Sequence, residues 1–145
     1  MTATLSSVLT GATTSGLFVW RGVDPDRDLL GEIHNSGWSA WRLDTGAASD
    51  AAGLYDAIAE TWGLPEWFGR NLDALWDVLA ERTQAPAVLV WEGAEAFATH
   101  DPDLAVVLLG LLRDAVTQTS AFSVVVRPDG PVAPGSLLSE LDGLL

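Results

Sequence analysis

Two uninterrupted apolar runs, Ala87-Val88-Leu89-Val90-Trp91 and Val124-Val125-Val126, constrain the fold more than any other feature of this chain. A strand with one face in water alternates apolar and polar side chains. An unbroken run needs cover on both faces, which is the condition of parallel strands sandwiched between helices. Helical signals fill the intervals. Asp101-Pro102 supplies a cap and a proline at the first helical position, ahead of a helix reaching about Gln118. Ser49 or Asp50 caps a segment that turns Leu54, Ile58 and Trp62 inward and stops at Gly63. Asn71 caps another, with Leu72, Leu75, Leu79 and part of Val78 inward. Residues 17–21 and 38–43 read as further strands. Between them Asp24-Pro25 opens a helix through Leu29, Leu30 and Ile33 to a stop at Asn35-Ser36-Gly37. Strands alternating with helices predict an α/β fold with a small, mostly parallel sheet.

The chain divides by pattern into four stretches. Residues 1–16 are rich in Ser, Thr, Gly and Ala without periodicity and read as a disordered or loosely ordered tail; residues 17–37 form a strand-helix extension. Residues 38–130 carry the principal domain, and 131–145 a proline-spaced linker and a short Leu-rich helix or turn capped by Ser136. The charge is lopsided: 20 acidic residues face 7 basic ones, all arginine, for a net charge of −13. Such a chain repels polyanions, which argues against nucleic acid or an anionic membrane as a partner and favours cationic surfaces. There is no cysteine. The first sixteen residues lack a secretory pattern, and the most apolar stretch, 104–112, is too short to span a bilayer, so a cytoplasmic protein is expected.

Enzyme constellations fail on inspection. With only His34 and His100, no cysteine, no lysine and no Gly-x-Ser-x-Gly turn, neither a nucleophilic triad nor a phosphate loop can be assembled. Asp24-x-Asp26-x-Asp28 opens like a calcium loop, but Leu29 stands where the glycine belongs and Asn35 where the closing glutamate belongs. No metal or cofactor site is expected. The densest polar information lies in residues 64–82. Asp73 and Asp77 are four apart on one helix face, about 6 Å along the axis, with Trp76 beside them and Trp67 in the preceding loop. Two carboxylates with aromatics suggest glycoside hydrolysis, yet neighbours on one helix make a convex ridge where hydrolases need a cleft. An acidic ridge flanked by tryptophans suits protein recognition, with aromatics as anchors and carboxylates as acceptors for arginine. Asp73 gains from the helix dipole in the first turn; Asp114, late in its helix, is disfavoured by it.

The run Leu64-Pro65-Glu66-Trp67-Phe68-Gly69-Arg70-Asn71-Leu72-Asp73-Ala74-Leu75-Trp76-Asp77 resembles the barstar signature LPEYYGxNLDALWD, and the likeness extends over roughly residues 38–127. What the resemblance implies is a barstar-like three-stranded parallel sheet, four-stranded if residues 17–37 add to it. It also implies a non-catalytic inhibitor of a cationic, extracellular-type ribonuclease, barnase-like or otherwise guanyl-preferring, bound one-to-one by a monomer. By match to the motif, Asp77 is the central phosphate mimic and Asp73 faces the guanine-binding side. Trp67 replaces a family tyrosine that packs on the catalytic histidine, and Trp76 packs on the rim. Gly69 and Asn71 belong to the same ribonuclease-binding surface, and Asp114 takes the place of a pairing glutamate. Glu81 and Arg82 fall on the rim and depart from the family, which has glycine and tryptophan there. The alternative is a barstar-like interaction module that regulates a partner other than a ribonuclease.

Overall fold

A computed structural model describes residues 3–119 and 121–145. In chain order the elements are α1 (Leu5–Leu9), β1 (Leu17–Trp20), α2 (Leu29–Asn35), β2 (Ser39–Asp44), α3 (Ala51–Trp62) and α4 (Leu72–Arg82). They continue with β3 (Ala87–Glu92), α5 (Ala94–His100), α6 (Pro102–Gln118), β4 (Phe122–Arg127) and β5 (Asp142–Leu144). The strands form one sheet in the order β2-β3-β4-β1-β5, and every pairing is parallel.

The two apolar runs become β3 and β4, side by side near the middle of the sheet, with Leu89 opposite Val124 and Val90 opposite Val125. Side chains alternate between two cores, as strand periodicity requires. Ala87, Leu89, Trp91, Phe122, Val124 and Val126 join a core roofed by α3, α4, α5 and α6. Val88, Val90 and Val125 join a smaller core closed by Leu5 and Val8 of α1 and Leu29 and Ile33 of α2. The sheet is thus covered on both sides. Asp50, Asn71 and Asp101 cap α3, α4 and α6 by accepting backbone N–H bonds from Gly53, Ala74 and Leu104.

Several expectations are corrected. The sheet has five strands instead of three or four. Residues 3–16 of the expected tail include α1, whose Leu5 and Val8 are buried and whose Thr4 and Ser7 form a reciprocal capping box; Met1 and Thr2 lie outside the described residues. Helix α2 starts at Asp28, whose side chain accepts from Gly31 N, and not at Asp24-Pro25. Asp24 is occupied by a local turn in which its carboxylate accepts from Asp26 N. The C-terminal Leu-rich segment is not a helix. It makes turns that bury Leu138 and Leu141, then extends as β5 beside β1. Helix α5 gives no sequence signal because its N-cap is Gly93, in the left-handed region at φ 75° with no side-chain cap. Gly93 tolerates nothing larger: an added Cβ would lie 2.2 Å from the Gly46 nitrogen.

The two ends of the described chain meet on this sheet. Leu5 N donates to Leu145 O, Leu145 N donates to Ala3 O at 3.1 Å, and Ala3 forms a parallel bridge with Leu144. The N-terminal segment therefore closes the smaller core. Leu5→Ala is expected to cost about 2–4 kcal/mol of unfolding free energy, measured by urea denaturation, as truncation of a buried leucine does. A loosely ordered tail would show no change.

Candidate functional site

Helix α3 ends at Gly63, in the left-handed region at φ 59°, whose N–H returns to Ala59 O. The following loop is held at three points. Phe68 is buried against Tyr55, their ring centroids 6.4 Å apart, and its N–H donates to Pro65 O. Arg70 adopts a left-handed conformation at φ 47° that is uncommon for a side-chain-bearing residue, and its guanidinium pairs with Asp56 of α3. Asn71 uses both ends of its amide: Oδ1 accepts from Ala74 N at 2.8 Å and Nδ2 donates to Gly69 O at 2.8 Å. With its neighbours fixed, Trp67 projects outward and is 86% exposed. An indole left in water at the tip of a clamped loop has the chemistry of an interface anchor.

Helix α4 turns Leu75 and Leu79 into the core and leaves Asp73, Asp77 and Glu81 exposed one turn apart along its outer face. Trp76 is half-buried between two hollows separating α4 from α6. One, of about 440 Å³, is bordered by Asp73, Trp76, Val107, Gly110 and Asp114. The other, of about 410 Å³, is bordered by Trp76, Leu79, Thr83 and Ala115. The structure therefore brings Asp73, Trp76 and Asp114, remote in sequence, around one shallow depression. Asp77, Trp67 and Gly69 do not border it; they lie on the exposed ridge and loop beside it. Arg82 is exposed at the end of α4, with a long contact of 3.4 Å to Trp62 O. Among the described residues no three of His, Cys, Asp and Glu are placed to hold a metal, and no helix is long and apolar enough to cross a membrane.

Sequence reasoning missed what α6 contributes. The run 104–112 reads as uniformly apolar, yet Val106 and Val107 are 60% and 47% exposed, and Val107 borders the depression. The helical period carries the signal: Ala105, Leu108, Leu109 and Leu112 claim the buried stripe, which leaves positions 106 and 107 outside it.

The geometry is that of an acidic, aromatic docking ridge on an α/β scaffold. The chain belongs to the barstar family: the family model described as Barstar (barnase inhibitor) matches residues 38–127, from the start of β2 to the end of β4. A Bacillus subtilis (strain 168) protein named "Putative ribonuclease inhibitor YrdF" is 29% identical over 75 residues, covering 51% of this chain and 82% of that protein. Helix α1, strand β1, helix α2 and strand β5 fall outside the matched residues.

Two outcomes test the clamped loop. Asn71→Ala removes the α4 cap and is expected to cost about 1 kcal/mol of stability in denaturant unfolding. Burial raises the phenol of Tyr55, the one tyrosine of the chain, above its ordinary value of 10.0. The folded state then holds the phenolic proton to higher pH than the unfolded chain, so this contribution is whole below about pH 10 and is lost as pH rises through the folded value. Ultraviolet titration of the phenolate should show one transition displaced upward, returning to the ordinary value in denaturant.

Proposed function

We propose that this protein inhibits a cationic, guanyl-preferring microbial ribonuclease by occluding its active site with α4 and the loop before it, carboxylates standing where RNA phosphates bind. The observation that carries the reading is the joint exposure of Trp67, Asp73 and Asp77 on a clamped loop and helix, with Asp114 brought across from α6. In this reading Asp77 occupies the phosphate site and accepts from its arginines and histidine. Asp73 meets the guanine-binding side, Trp67 packs on the catalytic histidine, and Trp76 and Asp114 engage the rim. Gly69 belongs to the same binding surface, Asn71 holds the loop, and Glu81 and Arg82 complete the edge. The protein itself turns over nothing; it works in the cytoplasm as a monomer in a one-to-one complex.

The field of a −13 chain supports the same reading. An acidic inhibitor draws a basic enzyme in, and steering of this kind is screened beyond about 8 Å at physiological ionic strength. Association should therefore be fast at low salt and slow markedly as salt rises. Titration against a panel of guanyl-preferring microbial ribonucleases is the direct test. Asp77→Ala is expected to weaken inhibition by a hundredfold or more, about 3 kcal/mol or upward, because it leaves buried enzyme cations unpaired. Asp129→Ala, outside the motif, should leave it unchanged. Equal inhibition by wild type and Asp77→Ala would refute the assignment.

One feature favours a second reading, a module regulating a partner other than a ribonuclease: Arg82 places a cation on the rim of an otherwise acidic ridge. Capture of the native partner followed by a ribonuclease assay of the captured material separates the two.

A further inference from the structure

A second cavity, larger than either hollow beside Trp76, lies away from the acidic ridge and shares no lining residue with them. It is an open crevice of about 900 Å³ over the carboxyl ends of β1, β2, β3 and β4, within the size range of sites that hold small ligands. Its position follows from the topology. Strands β1 and β4 are neighbours, but the chain leaving β1 passes to α2 on the small-core side, while the chain leaving β4 crosses the other side and returns as β5. Outgoing connections that part at adjacent strands open a crevice between them, and open parallel sheets commonly bind ligands at such a switch point. Of its walls, residues 21–25 and 128–132 lie outside the matched family region.

The crevice is built of fixed parts. Its floor is the close approach of Gly46 and Gly93, locked by Thr45, whose hydroxyl donates to Gly93 O and accepts from Trp91 Nε1. Its walls are tied by Arg127, which donates to Pro25 O at 3.2 Å, and by Asp129 N, which donates to Glu95 at 2.9 Å. Three of the chain's seven arginines line it: Arg21, Arg42 and Arg127. Arg42 and Arg127 are engaged with Glu92. Arg21 differs. Arg21 is exposed, its stem lies across Gly143 of β5, where an added Cβ would sit 2.8 Å from its Cδ, and its side chain is in no hydrogen bond or ion pair among the described residues. In a chain with nearly three carboxylates per arginine, a guanidinium left unpaired beside this crevice is open to an external anion. Beside it the buried Trp20 Nε1 also lacks an acceptor. The opposite sign is more numerous: Asp24, Asp44, Glu92 and Asp129 all line the crevice, Asp44 and Glu92 being paired with Arg42, while Asp24 and Asp129 on the two wall loops offer carboxylates that accept hydroxyl protons but repel a second anion.

We propose that this crevice is a binding site for a phosphate ester of a sugar, its phosphate on Arg21 and its hydroxyls on Asp24 and Asp129. A mixed lining of this kind selects a ligand that is anionic at one end and hydroxylated at the other. It does not favour a bare anion or a neutral sugar. A free sugar phosphate and a ribonucleotide share this chemistry. The test is isothermal titration of the full chain with ribose 5-phosphate, a ribonucleoside 5′-monophosphate, inorganic phosphate and ribose. Saturable binding of either phosphate ester, at least about tenfold tighter than inorganic phosphate or ribose, is expected. Tighter binding of the nucleotide than of ribose 5-phosphate would identify a base-bearing ligand, and the reverse a free sugar phosphate. Arg21→Gln should weaken the ester about tenfold to a hundredfold, the loss expected for one charge-assisted hydrogen-bonding partner. Asp24→Asn should weaken the ester while leaving inorganic phosphate unchanged or tighter. Asp77→Ala, on the acidic ridge, should leave ester binding unaltered, so this site stands or falls apart from ribonuclease inhibition. Binding that is absent for both esters, or unchanged in Arg21→Gln while that variant keeps the wild-type unfolding midpoint, would overturn the proposal.

Discussion

The burial of β3 on both faces is the constraint on which the rest of the structure depends. Every side chain from Ala87 to Trp91 is enclosed, and a strand in that position must find a parallel partner on each edge and a layer of helix above and below. Four helices on one side and two on the other meet that demand. The heavier side carries the acidic ridge, because α4 packs inward with Leu75 and Leu79, half-buries Ala74, Trp76 and Val78, and leaves Asp73, Asp77 and Glu81 exposed. The acidic ridge is thus the outer surface of a helix whose inner surface belongs to the core. Its carboxylates are held as firmly as the sheet itself, and little order has to be gained when a partner binds.

The same economy governs the loop before α4. Phe68, Arg70 and Asn71 each tie a single position to α3 or to the start of α4, and just ahead of them Trp67 stands exposed. The family segment, residues 38–127, contains this whole assembly with β2, β3 and β4. Outside it, α1, β1, α2 and β5 build the second core and finish the sheet. The loops at residues 21–25 and 128–132, also outside the family segment, wall the crevice at the strand ends, whose floor belongs to the family segment.

Much of this was legible from residue order. Continuous apolar runs announced β3 and β4; Ser49 or Asp50, Asn71 and Asp101 announced three helix starts, the first resolved by the structure to Asp50; and the motif from Leu64 to Asp77 announced the ridge. What escaped did so for physical reasons. Helix α5 begins at a left-handed glycine, and a backbone conformation leaves no capping side chain to read. Residues 5–9 and 142–144 are too short for periodicity to show, and their structure comes from meeting each other and β1 across the length of the chain. Asp24-Pro25 imitated a helix start because the same aspartate serves a turn equally well. The gathering of Asp73, Trp76 and Asp114 around one depression depends on how α4 crosses α6, which no local pattern encodes.

Strands as uniformly apolar as β3 and β4 raise a further matter, since sliding one past the other would keep oily side chains on both faces. Alternation, the usual guide to alignment, is missing. The few polar fixtures of the sheet take over that task. Ser123, buried in β4, accepts from Gly16 N at 3.1 Å and so sets β1 beside it. Thr45 receives the Trp91 indole just beyond the end of β2, and Glu92 faces Arg127 across the end of the β3–β4 ladder with Arg42 on its other side. A displaced strand would leave the buried Ser123 and Thr45 without their partners where water reaches poorly, and would part Glu92 from its arginines at the rim. Their contribution is to the uniqueness of the sheet more than to its strength: they act as locating pins in a structure whose oily surfaces would accept several alignments.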